Sequence, residues 1–156
     1  MPPVRCIPLR RCAAVFAGAL LAAAVLGGCA AQPQLSTVVD KQGAYTSAEV
    51  EQMANATSLG AASSLTKQQA PAERQRALAA LRRSGAEGVA VADLLTKLFP
   101  ADTAAVPVSI EHARVDGNDA LVVVEAAAGR DGKLTTRRVW VLSYPGGAII
   151  DSASFR

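Results

Sequence analysis

Histidine occurs once, at His112, and cysteine three times, at Cys6, Cys12 and Cys29. A zinc site takes three or four ligands from Cys, His and carboxylate, so a transition-metal site here would have to rest on carboxylates. Aromatic residues are only 4% of the chain, with a single tryptophan, Trp140, so the core is aliphatic. The nucleophile-elbow pattern Gly-x-Ser-x-Gly is missing, and so are the glycine patterns that cradle phosphates. No basic stripe interleaved with aromatics appears, which argues against nucleic acid as a partner. No metal, no cofactor and no catalytic residue is therefore assigned, and the chain is not expected to be an enzyme.

What is present begins at the N-terminus. Arg5, Arg10 and Arg11 come first, without an acid among them. Positive charge there resists membrane crossing and sets orientation. An uncharged apolar run follows, from Ala13 to Leu26. It lies at the upper end of the roughly 7–15 residues of a signal-peptide core, and a spanning helix wants about 20 strongly apolar residues. Alanine and glycine add little transfer energy, and no Lys/Arg stop signal follows. The small residues Gly27 and Gly28 then allow a peptidase close to the backbone. Residues 1–28 thus have the three parts of an export signal, and Cys12-Ala13-Ala14 after Arg10-Arg11 fits the general secretory route better than the twin-arginine one.

Leu26-Gly27-Gly28-Cys29 resembles the lipobox of bacterial lipoproteins. Leu26, Gly28 and Cys29 match its pattern, while Gly27 stands where Ala or Ser is usual. The resemblance implies a diacylglyceryl group on Cys29, which becomes the first residue of the mature chain. It also implies fatty-acid anchoring to the cell membrane or the outer membrane, with the body facing periplasm or exterior. Ala30 is not the Asp that retains lipoproteins at the inner membrane, so onward transport to an outer membrane is permitted.

Cleavage would change the composition. Removing Arg5, Arg10 and Arg11 leaves thirteen basic and thirteen acidic residues, so the high pI belongs to the signal. Cys6 and Cys12 leave too, and Cys29 is consumed by lipid. No thiol then remains for a disulfide, a metal or nucleophilic attack.

Residues 29–46 read as a flexible tether, interrupted by Gln32-Pro33-Gln34, Ser36-Thr37 and Lys41-Gln42-Gly43. Residues 47–156 are enough for one domain, which at this size hides roughly 65% of its unfolded surface. Ser47 is the expected cap of a first helical stretch running toward Gln69, with Val50 where a capping box would have an acid and with Gly60 and the Ser/Thr content as the place where it can break or loosen. Pro71 to Ser84 is a second helix, opened by Pro71 and closed by Gly85. Its Arg74, Arg76, Arg82 and Arg83 look solvated. Glu87 to Phe99 is a third, with an apolar stripe from Val91, Leu94, Leu95, Leu98 and Phe99 and an expected Asp93–Lys97 pair.

The period then changes to two. Val106, Val108 and Ile110 alternate with Pro107, Ser109 and Glu111. Turn signals at Asp116-Gly117-Asn118-Asp119, Gly129-Arg130-Asp131-Gly132 and Tyr144-Pro145-Gly146-Gly147 separate four strands. The expected fold class is α+β, with two or three N-terminal helices packed on a four-stranded antiparallel meander. The middle strands are apolar on both faces, where one-sided cover would give cleaner alternation. Helices, curling of the sheet or another subunit could shield the second face. Helices followed by a curved meander resemble the cystatin-like and nuclear-transport-factor-2-like architectures, in element order alone.

Trp140 and Tyr144 share one face of a strand about 13 Å apart. The ordinary reading makes Trp140 a core anchor; the sharper one makes the pair a ligand or partner face. His112 reads as a rim residue. Arg137 and Arg138 point to opposite faces, with a cross-strand ion pair as the ordinary expectation. The Asp116–Asp119 segment departs from the calcium-loop pattern and reads as a turn. Function is expected to be that of a membrane-anchored envelope lipoprotein, binding a protein partner or assembling as a homo-oligomer. A small apolar-ligand or lipid-binding role is the alternative.

Overall fold

The structure, a computed structural model, describes residues 38–156. The expected signal segment, Cys29 and most of the expected tether lie outside them. Three α-helices and five strands form an α+β body. The sheet order is β1 (Val39–Tyr45), β2 (Ala105–Val115), β3 (Asn118–Ala127), β4 (Thr136–Ser143) and β5 (Ile149–Phe155). β2 to β5 are the antiparallel meander that the turn signals mark.

The sheet itself departs from expectation. It is mixed and five-stranded, because Val39–Tyr45, placed in the tether by sequence, pairs parallel to β2. This stretch carries Gly43 and few strand-forming side chains, so its own propensity is weak. Pairing with an existing edge decides its structure: Val39 faces Glu111, Tyr45 faces Val115, and the Asp116 N–H donates to the Tyr45 carbonyl at 2.8 Å.

α1 (Ser47–Ala56) is capped one residue earlier than expected. Thr46 is the cap, which places Glu49 at the capping-box position. The Glu49 N–H donates to the Thr46 hydroxyl at 3.3 Å, and Glu49 Oε2 accepts from the Thr46 N–H at 2.7 Å. The Thr46 N–H, then the Thr46 hydroxyl, hold the Glu49 carboxyl below the ordinary carboxylate range. A carboxyl depressed on folding stabilises above its unfolded pKa, and that contribution is lost as pH falls through the folded value. Thr46→Ala is expected to cost about 1 kcal/mol in a urea titration at neutral pH. The difference from the parent should shrink once pH is low enough to protonate Glu49.

The first helical stretch breaks short of Gln69, ahead of Gly60. After Ala56 the chain makes a short 3-10 helix, Gly60–Ser64, before α2 (Ala70–Arg82). The break falls at Thr57, where the backbone turns extended at ψ 127°, and Gly60 at φ 50° opens the 3-10 turn. α3 (Ala86–Leu98) follows from Gly85 at φ 123°.

Both faces of the sheet are covered from within the chain. α2 and α3 cover one face, where Val91, Leu95, Ile110, Leu121, Val123 and Leu142 are fully buried. On the other face Val50 and Ala54 of α1 pack against Val115, Val122, Val124, Val139 and Val141. The two-sided apolar strands therefore do not call for a second subunit. A bulge at Pro107–Ser109 shifts the parity of β2. Val108 consequently packs toward the α1 side and Ile110 toward α2 and α3, so these alternating positions do not share a face. A third cluster, with Leu59, Ala62, Ala70, Val106, Ala126 and Leu134, closes one end of the sheet.

The β2–β3 turn has Asp116 at φ 49° and Gly117 at φ 82°, the two positive values of a type I′ hairpin. The Asn118 amide donates to the Asp116 carbonyl at 3.3 Å, the local side-chain bonding expected of this segment.

Candidate functional site

The flagged aromatic pair splits between two surroundings on the face covered by α2 and α3. Trp140, on β4, packs against Phe99, the residue that caps α3, with ring centroids 4.9 Å apart and the planes tilted by 44°. Its Nε1–H donates to Glu125 Oε2 at 2.9 Å. Tyr144 follows β4 at a cis Tyr144–Pro145 peptide, and its ring centroid lies 4.5 Å from that of His112. His112 Nδ1 in turn lies 3.8 Å from Glu87 of α3. The structure thus joins Tyr144 to His112 and Trp140 to a buried charge. Both aromatics are half-buried against the same core cluster.

That buried charge is Glu125, fully enclosed on β3. Arg74 of α2, expected on a solvated face, is enclosed with it and donates from Nη1 to Glu125 Oε1 at 2.5 Å. The same nitrogen reaches the Ala105 carbonyl at 3.4 Å, and the guanidinium lies 5.4 Å from the Phe99 ring centroid. Charged groups are rarely buried unless paired, because losing water costs far more than apolar packing returns. Glu125 sits within the apolar run Leu121–Ala127, and this was the sequence signal that a cation must reach it. Which arginine does so was not readable, since four lie on or beside α2. The pair fixes α2, β3 and Trp140 relative to one another and is closed to solvent.

Asp93, expected to pair with Lys97, pairs instead with the partly exposed Arg82 at 2.9 Å and so bridges α3 to α2. Arg138 places its guanidinium 5.7 Å from the Trp140 centroid. Arg137 donates from Nε to the Thr57 carbonyl at 2.7 Å, bonding backbone where a carboxylate was expected.

The Arg137 bond shapes an open cleft of 390 Å³ lined by Ser58, Leu59, Gly60, Ser63, Thr135 and Arg137. It forms where the break after α1 meets the start of β4. Ser58 Oγ accepts from the Gly60 N–H at 3.2 Å, which leaves its own proton to donate. Ser63 spends its proton on the Gly60 carbonyl at 2.8 Å. With Nε held, the other nitrogens of Arg137 remain as donors in a fixed plane. No carboxylate lines the cleft. This donor set suits an anion. Sequence reasoning missed it because its parts are eighty positions apart.

Among the described residues no group of three or more His, Cys, Asp or Glu could hold a metal, and no helix is long and apolar enough to cross a membrane. No family model matches the chain, and neither curated proteins nor solved structures give a match.

Proposed function

We propose that this protein is an exported lipoprotein, held to a bacterial membrane through lipid on Cys29, whose α+β body binds a protein partner or assembles in the envelope. The observation that carries the anchor is Leu26-Gly27-Gly28-Cys29, placed directly after an uncharged apolar run headed by arginines. The partner reading rests on the sheet edge. β5 pairs on one side only, and Ile149 and Ile150 are 53% and 48% exposed there. An open edge with exposed apolar side chains can accept another strand.

The alternative, binding of a small apolar ligand, would need a hollow between sheet and helices. Val91, Leu95, Ile110, Leu121 and Val123, all fully buried, occupy that space, which favours the first reading.

Cys29→Ala tests the anchor. In cells fed a fatty-acid probe the parent chain should be labelled and shortened. The variant should lose all label and keep its first 28 residues. Equal labelling of both would sink the anchor reading.

A further inference from the structure

The two ends of the sheet carry opposite charge. At one end Ala105 of β2 pairs with Ala127 of β3, which pairs with Thr136 of β4. Phe155 pairs with Arg137, bringing Arg156 there too. Lys67 joins them, its N–H donating to the Gly132 carbonyl at 2.7 Å. This end therefore presents Lys67, Arg130, Lys133, Arg137 and Arg156. The carboxylates beside them are Asp102, Asp131, which accepts from the Lys133 N–H, and Glu73, which is paired with Arg76. The donor-lined cleft opens at the same end. At the far end, around the Asp116–Gly117 turn, Glu49, Glu51, Asp116 and Asp119 outnumber Arg114.

The length of chain between body and anchor bounds how far the basic end can lie from the membrane. β1 runs parallel to β2, from Val39 opposite Glu111 to Tyr45 opposite Val115. β1 therefore runs toward the acidic end, with Val39 already past the middle of β2. Cys29 precedes Val39 by ten residues, which span about 35 Å at most. A lipid at Cys29 would hold the body within that distance of the bilayer, close enough for the basic end to reach it.

We infer that the basic end is a docking surface for anionic phospholipid headgroups of the membrane that holds the anchor, with one headgroup phosphate entering the Arg137 cleft. This rests on the anchored reading above. Arginine with hydroxyl donors matches phosphate oxygens, and the surrounding cations follow the negative potential of the surface.

The test uses the full chain, purified in neutral detergent and reconstituted into vesicles of phosphatidylcholine alone or mixed equally with phosphatidylglycerol. Hydrogen exchange is followed over residues 58–64, 129–135 and 116–119. Exchange over the first two should slow about fivefold or more in the mixed vesicles, the gain expected from even one cation at an anionic surface. The third should not change. Salt at about 1 M, where screening reaches down to about 3 Å, should abolish the slowing. Arg137→Gln should reduce it over residues 58–64. Arg130→Gln with Lys133→Gln, on exposed positions of a turn, should reduce it without touching the core.

Equal exchange in both vesicles, or equal slowing at residues 116–119, would overturn the docking surface. Inorganic phosphate giving the same slowing in detergent would overturn the membrane source in favour of a free-anion site. The mass of the same preparation reads the anchor separately. A lipidated chain without slowing fails the docking alone, and an unlipidated chain fails the anchored reading and the docking with it.

Discussion

Arg74→Met is expected to lower the free energy of unfolding by about 3–5 kcal/mol, among the largest single-residue effects in this body. The substitution preserves much of the apolar stem but leaves Glu125 enclosed without its cation. Trp140 would still donate to Oε2, yet one neutral donor does not replace a charged one. The loss should exceed any return from relieving Arg74 Nη2, which is buried without a hydrogen-bond partner among the described residues. Pairing Arg74→Met with Glu125→Gln separates the effects. The glutamine carbonyl can keep the Trp140 bond, and no buried charge remains. Urea titrations of the two single variants and the double variant should therefore show strong non-additivity, with the double variant recovering most of the stability. Additive losses would mean that the pair is not coupled.

Leu95→Ala is expected to cost about 2–5 kcal/mol. Leu95 is fully buried in α3, with Ile110, Leu121 and Val123 of the sheet in the same cluster. Truncation leaves a cavity between two rigid layers, and such layers collapse only partly into it. Leu98 lies on the same apolar stripe but is half-buried, so Leu98→Ala should cost clearly less. Thermal and urea unfolding of both variants reads the difference. Equal costs would mean that α3 does not pack through Leu95.

The arrangement of elements was legible where the signal is local. Pro71 and Gly85 bracket α2, the Val91–Phe99 stripe marks α3, and the Asp-Gly turn marks the β2–β3 hairpin. What was not legible depends on distant partners. Val39–Tyr45 becomes a strand only because β2 offers an edge. The cap is the exception, since Thr46 with Glu49 three residues on is a local capping box that the sequence displays in full. The bulge after Pro107 breaks an alternation that looked unbroken in the sequence. At the site, the same distinction holds. Trp140 and Tyr144 stood out by spacing, but only the fold gives one to Glu125 and the other to His112. Arg74 looked like its neighbours on α2 until β3 placed a carboxylate opposite it.

The N-terminal motif carries the functional reading, and its chemistry can be weighed directly. The measurement is the intact mass of the chain extracted from the membranes of its own cell. The result expected is a polypeptide that begins at Cys29 and carries a diacylglyceryl group with its fatty acids. A chain of 156 residues with a free Cys29 thiol would contradict it.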